Sequence, residues 1–251
     1  MVLPSIVAFH GFMGVGEDFD PFEKSCGLHF ETPDLIGHGS FQCDDPTQYS
    51  LDAQLEYWFA RIPEGCILIG YSMGGRLALQ FACRYPQHLS GLVLIGSTPG
   101  IADSDERLKR QKWDTSQVDR IRELGVEGFC NEWQQLPIIA TQRRIQTGIR
   151  RKMKANRLAQ SIEGLANSMT HFGTGTMPDC WDALPNVRCP TLLMVGEEDA
   201  KYRGLANQMM ERLSEEHTEH AVISDGGHCA HLESMSESSC MLKQWLKTHF
   251  S

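Results

Sequence analysis

The chain has 251 residues, of which 41% are hydrophobic and 22% are charged, so it is long enough to fold around a sizeable hydrophobic core. Its formal net charge of -9 argues against nucleic acid as a general partner, because a polyanion binds basic surfaces. No stretch approaches the ~18 consecutive apolar residues of a transmembrane helix, so we expect no membrane span.

The first residues and the cysteines predict a cytoplasmic protein. The opening stretch, MVLPSIVAFHGF, has neither the basic region nor the small-residue cleavage site of a secretory signal peptide. The nine cysteines are scattered and include no C-x-x-C pair. An odd, irregular set of this kind indicates reduced thiols in a reducing compartment.

Short apolar runs followed by turn residues recur along the chain, at 5–9, 28–33, 66–70, 92–96, 191–196 and 220–224. Runs without polar alternation are typical of strands buried on both faces of a parallel sheet. Amphipathic stretches lie between most of these runs, at 51–61, 73–85, 202–213 and 234–249. The repeated order of strand and helix predicts an α/β fold with a mostly parallel sheet flanked by helices.

The alternation of strand and helix stops between about residues 101 and 185. This stretch has helical periodicity and no convincing strand, and prolines lie near its two ends at Pro99 and Pro185. We therefore predict a helical cap at 101–185, inserted into an α/β core that is formed by 1–100 and 186–251.

A G-x-S-x-G motif lies between the predicted strand at 66–70 and the helix that follows it, with Ser72 at its centre. This context is typical of the nucleophile elbow of the α/β-hydrolase fold, a sharp turn with glycines where side chains would collide. The serine hydroxyl then lies at the carboxyl end of the sheet, near the positive end of a helix. An incidental Gly-Ser turn is the alternative, and the flanking strand and helix favour the elbow.

A nucleophilic serine needs a base, and the base needs an orienting carboxylate. In this fold the chain order is serine, acid, histidine. The sequence Glu197-Glu198-Asp199 follows the strand at 191–196, and we select Asp199 because it lies deepest in the loop. The base is predicted in the loop after the strand at 220–224.

Two histidines compete for the role of base in that loop. The glycine pair before His228 favours it, and we assign His231 a supporting or substrate-facing role. The pair also forms an H-x-x-H pattern, but no glutamate or third ligand has the spacing of a zinc protease. We therefore expect no metal at this pair.

An oxyanion hole in this fold uses two backbone N–H groups. One is expected from Met73, the residue after the nucleophile. The other is expected from the loop 10–14 after the first strand, where Phe12 is the natural donor. We interpret His38, in the sequence LIGHGS, as a structural loop residue.

Cations are concentrated around the predicted site although the chain is acidic. Arg76 follows Ser72 by one helical turn and can therefore face the same cleft. The stretch 133–162 contains no Asp or Glu and seven basic residues, namely Arg143, Arg144, Arg150, Arg151, Lys152, Lys154 and Arg157. This asymmetry predicts an anionic ligand between cap and core, with two or three of these residues in the site and the others on a solvated face.

The chain resembles the family of 2-succinyl-6-hydroxy-2,4-cyclohexadiene-1-carboxylate (SHCHC) synthases of menaquinone biosynthesis over nearly its whole length. The stretches that carry the resemblance are HGFMG (10–14), LIGHG (35–39), GYSMGGR (70–76), ERLKRQ (106–111), EWQQLP (132–137), GEEDAKYRGLA (196–206) and GHCAH (227–231). The GYSMGG and GHG parts belong to the wider α/β-hydrolase superfamily. The arginine after the elbow, ERLKRQ, the tryptophan before QQLP, and KYRGLA are the discriminating parts.

The resemblance implies a catalytic triad of Ser72, Asp199 and His228. It implies that the substrate-binding positions are Arg76, Arg110, Arg150, Tyr71 and Trp133. The implied substrate, 2-succinyl-5-enolpyruvyl-6-hydroxy-3-cyclohexene-1-carboxylate, carries three carboxylates. The implied reaction removes a ring proton and eliminates pyruvate, without a cofactor, in the biosynthesis of menaquinone or phylloquinone.

Two other classes of function share these features. A hydrolase of an anionic ester, thioester or carbon–carbon bond would use the same triad with a different pocket. A non-enzymatic binding protein could retain the fold, but the intact triad argues against it. The arginines favour the synthase over a hydrolase of neutral esters, and we expect a monomer or a small homo-oligomer.

Overall fold

A parallel β-sheet lies at the centre of the computed structural model, which describes residues 3–250. Its five strands are β1 (Ile6–Phe9), β2 (Cys66–Tyr71), β3 (Leu89–Ile95), β4 (Thr191–Gly196) and β5 (Thr218–Ile223). They are hydrogen-bonded side by side in chain order, and every neighbouring pair is parallel. All five carboxyl ends therefore lie along one edge, where the following loops meet.

Helices cover both faces of the sheet. Outside the region between β3 and β4 they are α1 (Asp20–Cys26), α2 (Leu51–Phe59), α3 (Met73–Arg84), α8 (Ala200–Met210), α9 (Ala230–Glu233) and α10 (Met235–Phe250). Single 3-10 turns lie at Gly16–Phe19 and Pro46–Tyr49. No helix within residues 3–250 is long and apolar enough to cross a bilayer.

The apolar strands are explained by two separate cores, one on each face. In β2, Leu68 packs with α2, α3 and α8, whereas Ile67 and Ile69 pack with α1 and α10. Trp58 is among the side chains that close the first core, and Trp245 is among those that close the second. Because burying a large apolar side chain contributes ~1.5–3 kcal/mol, both faces hold the sheet firmly.

The prediction of a strand at 28–33 is wrong. Only Glu31 forms a bridge with Val7, through the hydrogen bonds Ala8 N–H to Glu31 O and Glu31 N–H to Ile6 O, both 2.8 Å long. The amide of Leu28 instead donates to Glu23 at the end of α1. Pro33 has no N–H to continue the ladder. The residues between the end of α1 and Pro33 are therefore too few to form a strand.

Helices fill the chain between β3 and β4. They are α4 (Ser104–Trp133), α5 (Pro137–Ala140), α6 (Thr147–Leu158) and α7 (Ile162–Phe172), with 3-10 turns at Thr141–Arg144 and Trp181–Asn186. The side chains of Asp103 and Ser161 cap α4 and α7 by accepting backbone N–H bonds. Helices α4 and α7 pack together above the carboxyl edge, where Leu165 contacts Met13 of the loop after β1. The division into a core and a cap at 101–185 stays a prediction.

The elbow depends on a very close approach of β1, β2 and α3. A Cβ atom on Gly74 would lie 2.3 Å from the carbonyl oxygen of Phe9, and one on Gly70 would lie 2.5 Å from the Cα of Gly75. The amide of Gly74 also donates to His10 O over 3.0 Å. Only hydrogen fits at these positions, so the glycines are required by packing.

We expect Gly74→Ala to lower the free energy of unfolding by more than about 2 kcal/mol, because backbone atoms must move to admit the methyl group. Gly204→Ala is the matched control. No atom lies within 4 Å of the Cβ that it would add in the middle of α8, so it should be neutral or stabilising by ~0.5–1 kcal/mol. Urea unfolding of both variants tests this. Equal stability of the two would contradict the packing argument.

Candidate active site

Ser72 has a strained backbone. Its φ of 51° and ψ of -106° lie outside the regions that side-chain-bearing residues prefer, which costs on the order of 1–3 kcal/mol. The amide of Ser72 donates to Ile95 O over 2.9 Å and holds the turn. Met13 and Asp225 also have positive φ values, and both lie in loops at the same edge of the sheet. Strain is therefore concentrated around this serine.

The structure brings Ser72, His228 and Asp199 into one hydrogen-bonded chain. His228 Nε2 lies 2.9 Å from Ser72 Oγ, and His228 Nδ1 lies 2.7 Å from Asp199 Oδ2. The three residues follow β2, β5 and β4, whose carboxyl ends are at the same edge. With Nδ1–H donated to the carboxylate, Nε2 is the acceptor for the serine proton.

The neighbouring carboxylates have other partners. Glu198 forms an ion pair with Arg144 at 2.7 Å, and Glu197 accepts the amide of Asp225 at 3.3 Å. Asp199 is buried and also caps α8 by accepting the Tyr202 amide at 3.3 Å. Asp199 is therefore the carboxylate of this loop that contacts His228.

Two backbone amides point to an oxyanion site beside Ser72. Met73 is the first residue of α3, so its amide has no partner within the helix. Across residues 3–250, neither this amide nor that of Phe12 donates to a backbone oxygen. Both residues line the cavity at Ser72. The Phe12 ring packs edge-on against Trp133, with ring centroids 5.1 Å apart.

A cavity of about 320 Å³ opens at Ser72 and His228, and Arg76 is in its wall. The Arg76 side chain is buried and donates to the backbone oxygen of Phe172 at 2.7 Å. No carboxylate within the described part of the chain is at ion-pair distance from it. Burial, followed by the nearby Arg110 guanidinium, lowers the pKa of Arg76 to about 10. Arg76 is thus a charged group, buried without a counter-ion, in the wall of the cavity.

Arg110 contributes a second cation to the same wall. Its Nε donates to Asp114 at 2.7 Å, and its guanidinium lies 4.6 Å from the centre of the Trp113 ring. Asp114 is also bonded by the amide of Gly175 at 2.9 Å. The carboxylate therefore orients the guanidinium, and the two terminal nitrogens remain available to an anion.

The aromatic pocket residues lie beside the triad. Trp133 lines the cavity. The Tyr71 ring lies 5.5 Å from the His228 ring, and its hydroxyl accepts a bond from Gln142 at 3.4 Å. Burial raises the pKa of Tyr71 well above its usual value, so this phenol stays a neutral hydrogen-bond donor.

The structure does not bring Arg150 to Ser72. Its exposed guanidinium bonds to the backbone oxygen of Arg143. Arg157 instead lines the small pocket beside Ser72 and Tyr71, and it donates to Gln142 at 2.6 Å. Because the two arginines are seven residues apart, they share a helix face and differ by about 10 Å along its axis. Sequence periodicity therefore could not separate them.

Sequence reasoning also missed Lys201, which lines the cavity from the first turn of α8. Its position two residues after Asp199 was the available signal. Most other basic residues of 133–162 are on the surface. Lys152, for example, contacts Glu17 and Asp20 at 3.1 Å.

Three other histidines are buried and neutral. His10 accepts the amide of Leu35 at 2.9 Å and bonds to Gly11 O at 2.8 Å. Burial lowers the pKa of His10 to about 4 and those of His38 and His231 to about 3. His231 packs against aromatic rings. Between residues 3 and 250, no group of three or more His, Cys, Asp or Glu side chains could hold a metal ion.

The chain is similar to known proteins in both its sequence and its structure. The sequence pattern of the alpha/beta hydrolase family matches residues 6–238. A Bacillus subtilis (strain 168) protein, whose name assigns it provisionally as 2-succinyl-6-hydroxy-2,4-cyclohexadiene-1-carboxylate synthase, is 33% identical over 91% of this chain and 85% of its own. A Salmonella paratyphi C (strain RKS4594) protein named as this synthase is 30% identical over 92% of this chain and 88% of its own. The structure of MenH from S. aureus is 29% identical and superposes with a TM-score of 0.93, covering 99% of this chain and 95% of that chain.

The chain belongs to the alpha/beta hydrolase family. The sequence match over nearly the whole chain and the high structural similarity also define its place within that family. It belongs with the 2-succinyl-6-hydroxy-2,4-cyclohexadiene-1-carboxylate synthases. The fold class and the family predicted from the sequence are thereby confirmed.

We expect the free energy of unfolding to fall as the pH is lowered from 7 toward 4. In the unfolded chain, His10, His38 and His231 take up protons near pH 6.5, whereas burial keeps them neutral in the folded chain down to about pH 4 for His10 and about pH 3 for the others. The unfolded state binds more protons in this window, so stability is lost there by up to ~1.4 kcal/mol per pH unit for each histidine.

Urea unfolding at pH 7, 6 and 5 measures this slope. The variant His231→Phe keeps an aromatic ring between Phe19 and Phe22 and removes one titrating group, so its slope should be shallower. Stability that is unchanged between pH 7 and 5 would show that these histidines do not titrate on unfolding.

Proposed function

We propose that the protein eliminates pyruvate from 2-succinyl-5-enolpyruvyl-6-hydroxy-3-cyclohexene-1-carboxylate, with Ser72, His228 and Asp199 as its catalytic triad. One observation carries the proposal beyond family membership. Ser72, which is hydrogen-bonded to His228, and Arg76 line the same cavity. Arg76 is a buried cation that has no carboxylate partner within the described residues. A buried charge is costly unless it is compensated, and a carboxylate of the substrate supplies that compensation.

Binding places the acidic C–H of the substrate ring beside Ser72. Arg76 and Arg110 bind carboxylates from one side of the cavity, and Arg157 binds from the pocket on the other side. Tyr71 and Trp133 form the walls between them. Fixed orientation of this kind can account for ~7–11 kcal/mol of a barrier. The pocket thereby selects proton removal by presenting a C–H bond, and no acyl carbon, to the serine.

The proton then moves from carbon to oxygen. His228 Nε2 takes the Ser72 hydroxyl proton, and the serine oxygen takes the proton of ring carbon 2. The electron pair of that C–H bond moves into the succinyl ketone and gives an enolate. The amides of Phe12 and Met73 stabilise the enolate oxygen as they would stabilise a tetrahedral oxyanion.

The second half of the reaction expels the leaving group. The enolate electrons return to the ring, the double bond shifts to positions 4 and 5, and the bond from ring carbon 5 to the enolpyruvyl oxygen breaks. His228 returns its proton to the departing enolate, which becomes pyruvate. Ser72 is again a hydroxyl and His228 is again neutral, so the site needs no further reagent.

Residues 101–185 act in this proposal as a cap that closes the site over the sheet edge. Arg144 and Glu198 link this region to the loop that carries Asp199, and Asn156 bonds to Asp18 at 2.9 Å beside the first loop. A cytoplasmic location is part of the same proposal, because all nine cysteines are free thiols. The substrate is small and anionic, in keeping with the cations of the cavity.

The experiment that tests the proposed function supplies the succinyl-enolpyruvyl substrate and measures pyruvate with a coupled lactate dehydrogenase assay. We expect pyruvate to form in step with the absorbance of the cyclohexadiene product. Fast hydrolysis of a thioester, with no pyruvate from the enolpyruvyl acid, would establish a hydrolase instead.

We expect Ser72→Ala, His228→Ala and Asp199→Asn each to lower kcat by ~10⁴–10⁶-fold, the range for triads that act as a unit, while the protein remains folded. Glu198→Gln is the matched control for the carboxylate, because Glu198 pairs with Arg144; it should retain activity. A severe loss of activity in His231→Ala, together with a mild loss in His228→Ala, would show that His228 is not the base.

We expect Arg76→Ala and Arg110→Ala each to lower kcat/KM by ~10–150-fold, the value of a charged hydrogen bond of ~1.5–3 kcal/mol. Lysine should restore activity only in part, because a planar guanidinium matches a carboxylate better. Arg61→Ala, which removes an exposed arginine bonded to Tyr57 O, is the control. Near-normal kinetics of both cavity variants, with a KM independent of salt, would remove the anionic-substrate interpretation.

A further inference from the structure

A second, larger cleft meets the active-site cavity. It has a volume of about 870 Å³, and it shares with the cavity the residues Arg110, Thr174, Lys201 and Tyr202. Arg76 and Ser72 line the inner cavity and not the cleft, whereas Lys201 lines both spaces. Lys201 is also partly exposed to solvent, whereas Arg76 is buried. These four residues therefore form the mouth through which the active site opens to the cleft.

Among the described residues, three cations line the outer cleft, and two of them, Arg110 and Arg212, have a carboxylate partner. Arg212 pairs with Asp182 at 3.4 Å, and Arg110 pairs with Asp114 at 2.7 Å. Asp179 of the same cleft pairs with an arginine at 2.8 Å. Throughout residues 3–250, no carboxylate is at ion-pair distance from Lys201, and its ammonium donates to no protein acceptor. Lys201 is thus the cleft cation whose hydrogen-bonding capacity the protein leaves unused.

The position of Lys201 is electrostatically unfavourable. It is the second residue of α8, where the helix dipole is positive and acidic side chains are favoured. Partial burial, and then the charge of Arg110, lower the pKa of Lys201, while Asp199 opposes them. Asp199 is already bonded to His228 and to the Tyr202 amide. A cation placed against a helix N-terminus and another cation is stabilised when an anion lies between them.

We propose that Lys201 binds substrate, and that it holds with Arg110 the carboxylate that lies at the mouth of the active-site cavity. This inference rests on the proposed function, in which the substrate carries three carboxylates. Arg76 binds inside the cavity, so a molecule with several carboxylates can reach both Arg76 and the mouth. An anion held between Lys201 and Arg110 compensates both charges and anchors the end of the substrate that is remote from Ser72.

The test compares Lys201→Gln, Lys201→Arg and the control Lys112→Gln in the pyruvate-release assay. Lys112 is an exposed lysine of α4 that lines neither space. We expect Lys201→Gln to raise KM by roughly 5- to 20-fold with little change in kcat. This is less than the ~10–150-fold of a buried charged hydrogen bond, because water screens an exposed charge. Lys201→Arg should keep a KM near that of the wild type, and so should Lys112→Gln.

A double-mutant cycle with Arg110→Ala tests whether the two cations hold the same carboxylate. If they do, the effects on kcat/KM are coupled, and the double variant loses less than the product of the two single losses. Strictly multiplicative losses would assign them to separate groups and overturn the shared site. A KM of Lys201→Gln equal to that of the wild type would also overturn the proposed role of Lys201. In that case the proposed function would still stand, because the wild-type enzyme releases pyruvate. If the wild-type enzyme releases no pyruvate, the proposed function itself fails.

Discussion

The structure depends on the close contact of β1, β2 and α3 at the strained turn of Ser72. Backbone atoms meet there at distances that admit only glycine, at Gly70 and Gly74. Two hydrophobic cores, one on each face of the sheet, hold the strands that make this contact. The strain of the turn is therefore sustained by packing elsewhere. Because of this turn, the serine oxygen lies at the edge of the sheet where the loops after β4 and β5 place Asp199 and His228.

In the proposed function, the chemistry of the site follows from charge rather than from the triad. A Ser-His-Asp chain can attack an acyl carbon or remove a proton, since both reactions place negative charge on a former carbonyl oxygen. Arg76 is buried and has no carboxylate partner among residues 3–250, and Arg110 is held by Asp114. The proposal of an anionic substrate, in place of a neutral ester, rests on these two cations. The acidic net charge of the chain, -9, makes such an uncompensated cation in the active site more informative.

The sequence predicted the parts of the structure that local pattern determines. Apolar runs and turn residues located all five strands, and the elbow motif located Ser72. At 28–33 the same pattern failed, because the end of α1 and Pro33 restrict the segment from both sides. The arginine of α6 that lines the small pocket beside Ser72 could not be chosen from the sequence, since Arg150 and Arg157 share a helix face. Lys201 was not predicted as a site residue. Its lack of a carboxylate partner among the described residues depends on its three-dimensional neighbours, which a single sequence does not specify.

In the proposed mechanism, Ser72 removes a proton and does not form an acyl-enzyme. Mass spectrometry of the intact chain, after rapid quenching during turnover of the succinyl-enolpyruvyl substrate at saturation, tests it most directly. We predict that the protein mass stays unchanged while pyruvate accumulates. A covalent adduct on Ser72 that forms and decays at the rate of turnover would contradict the account.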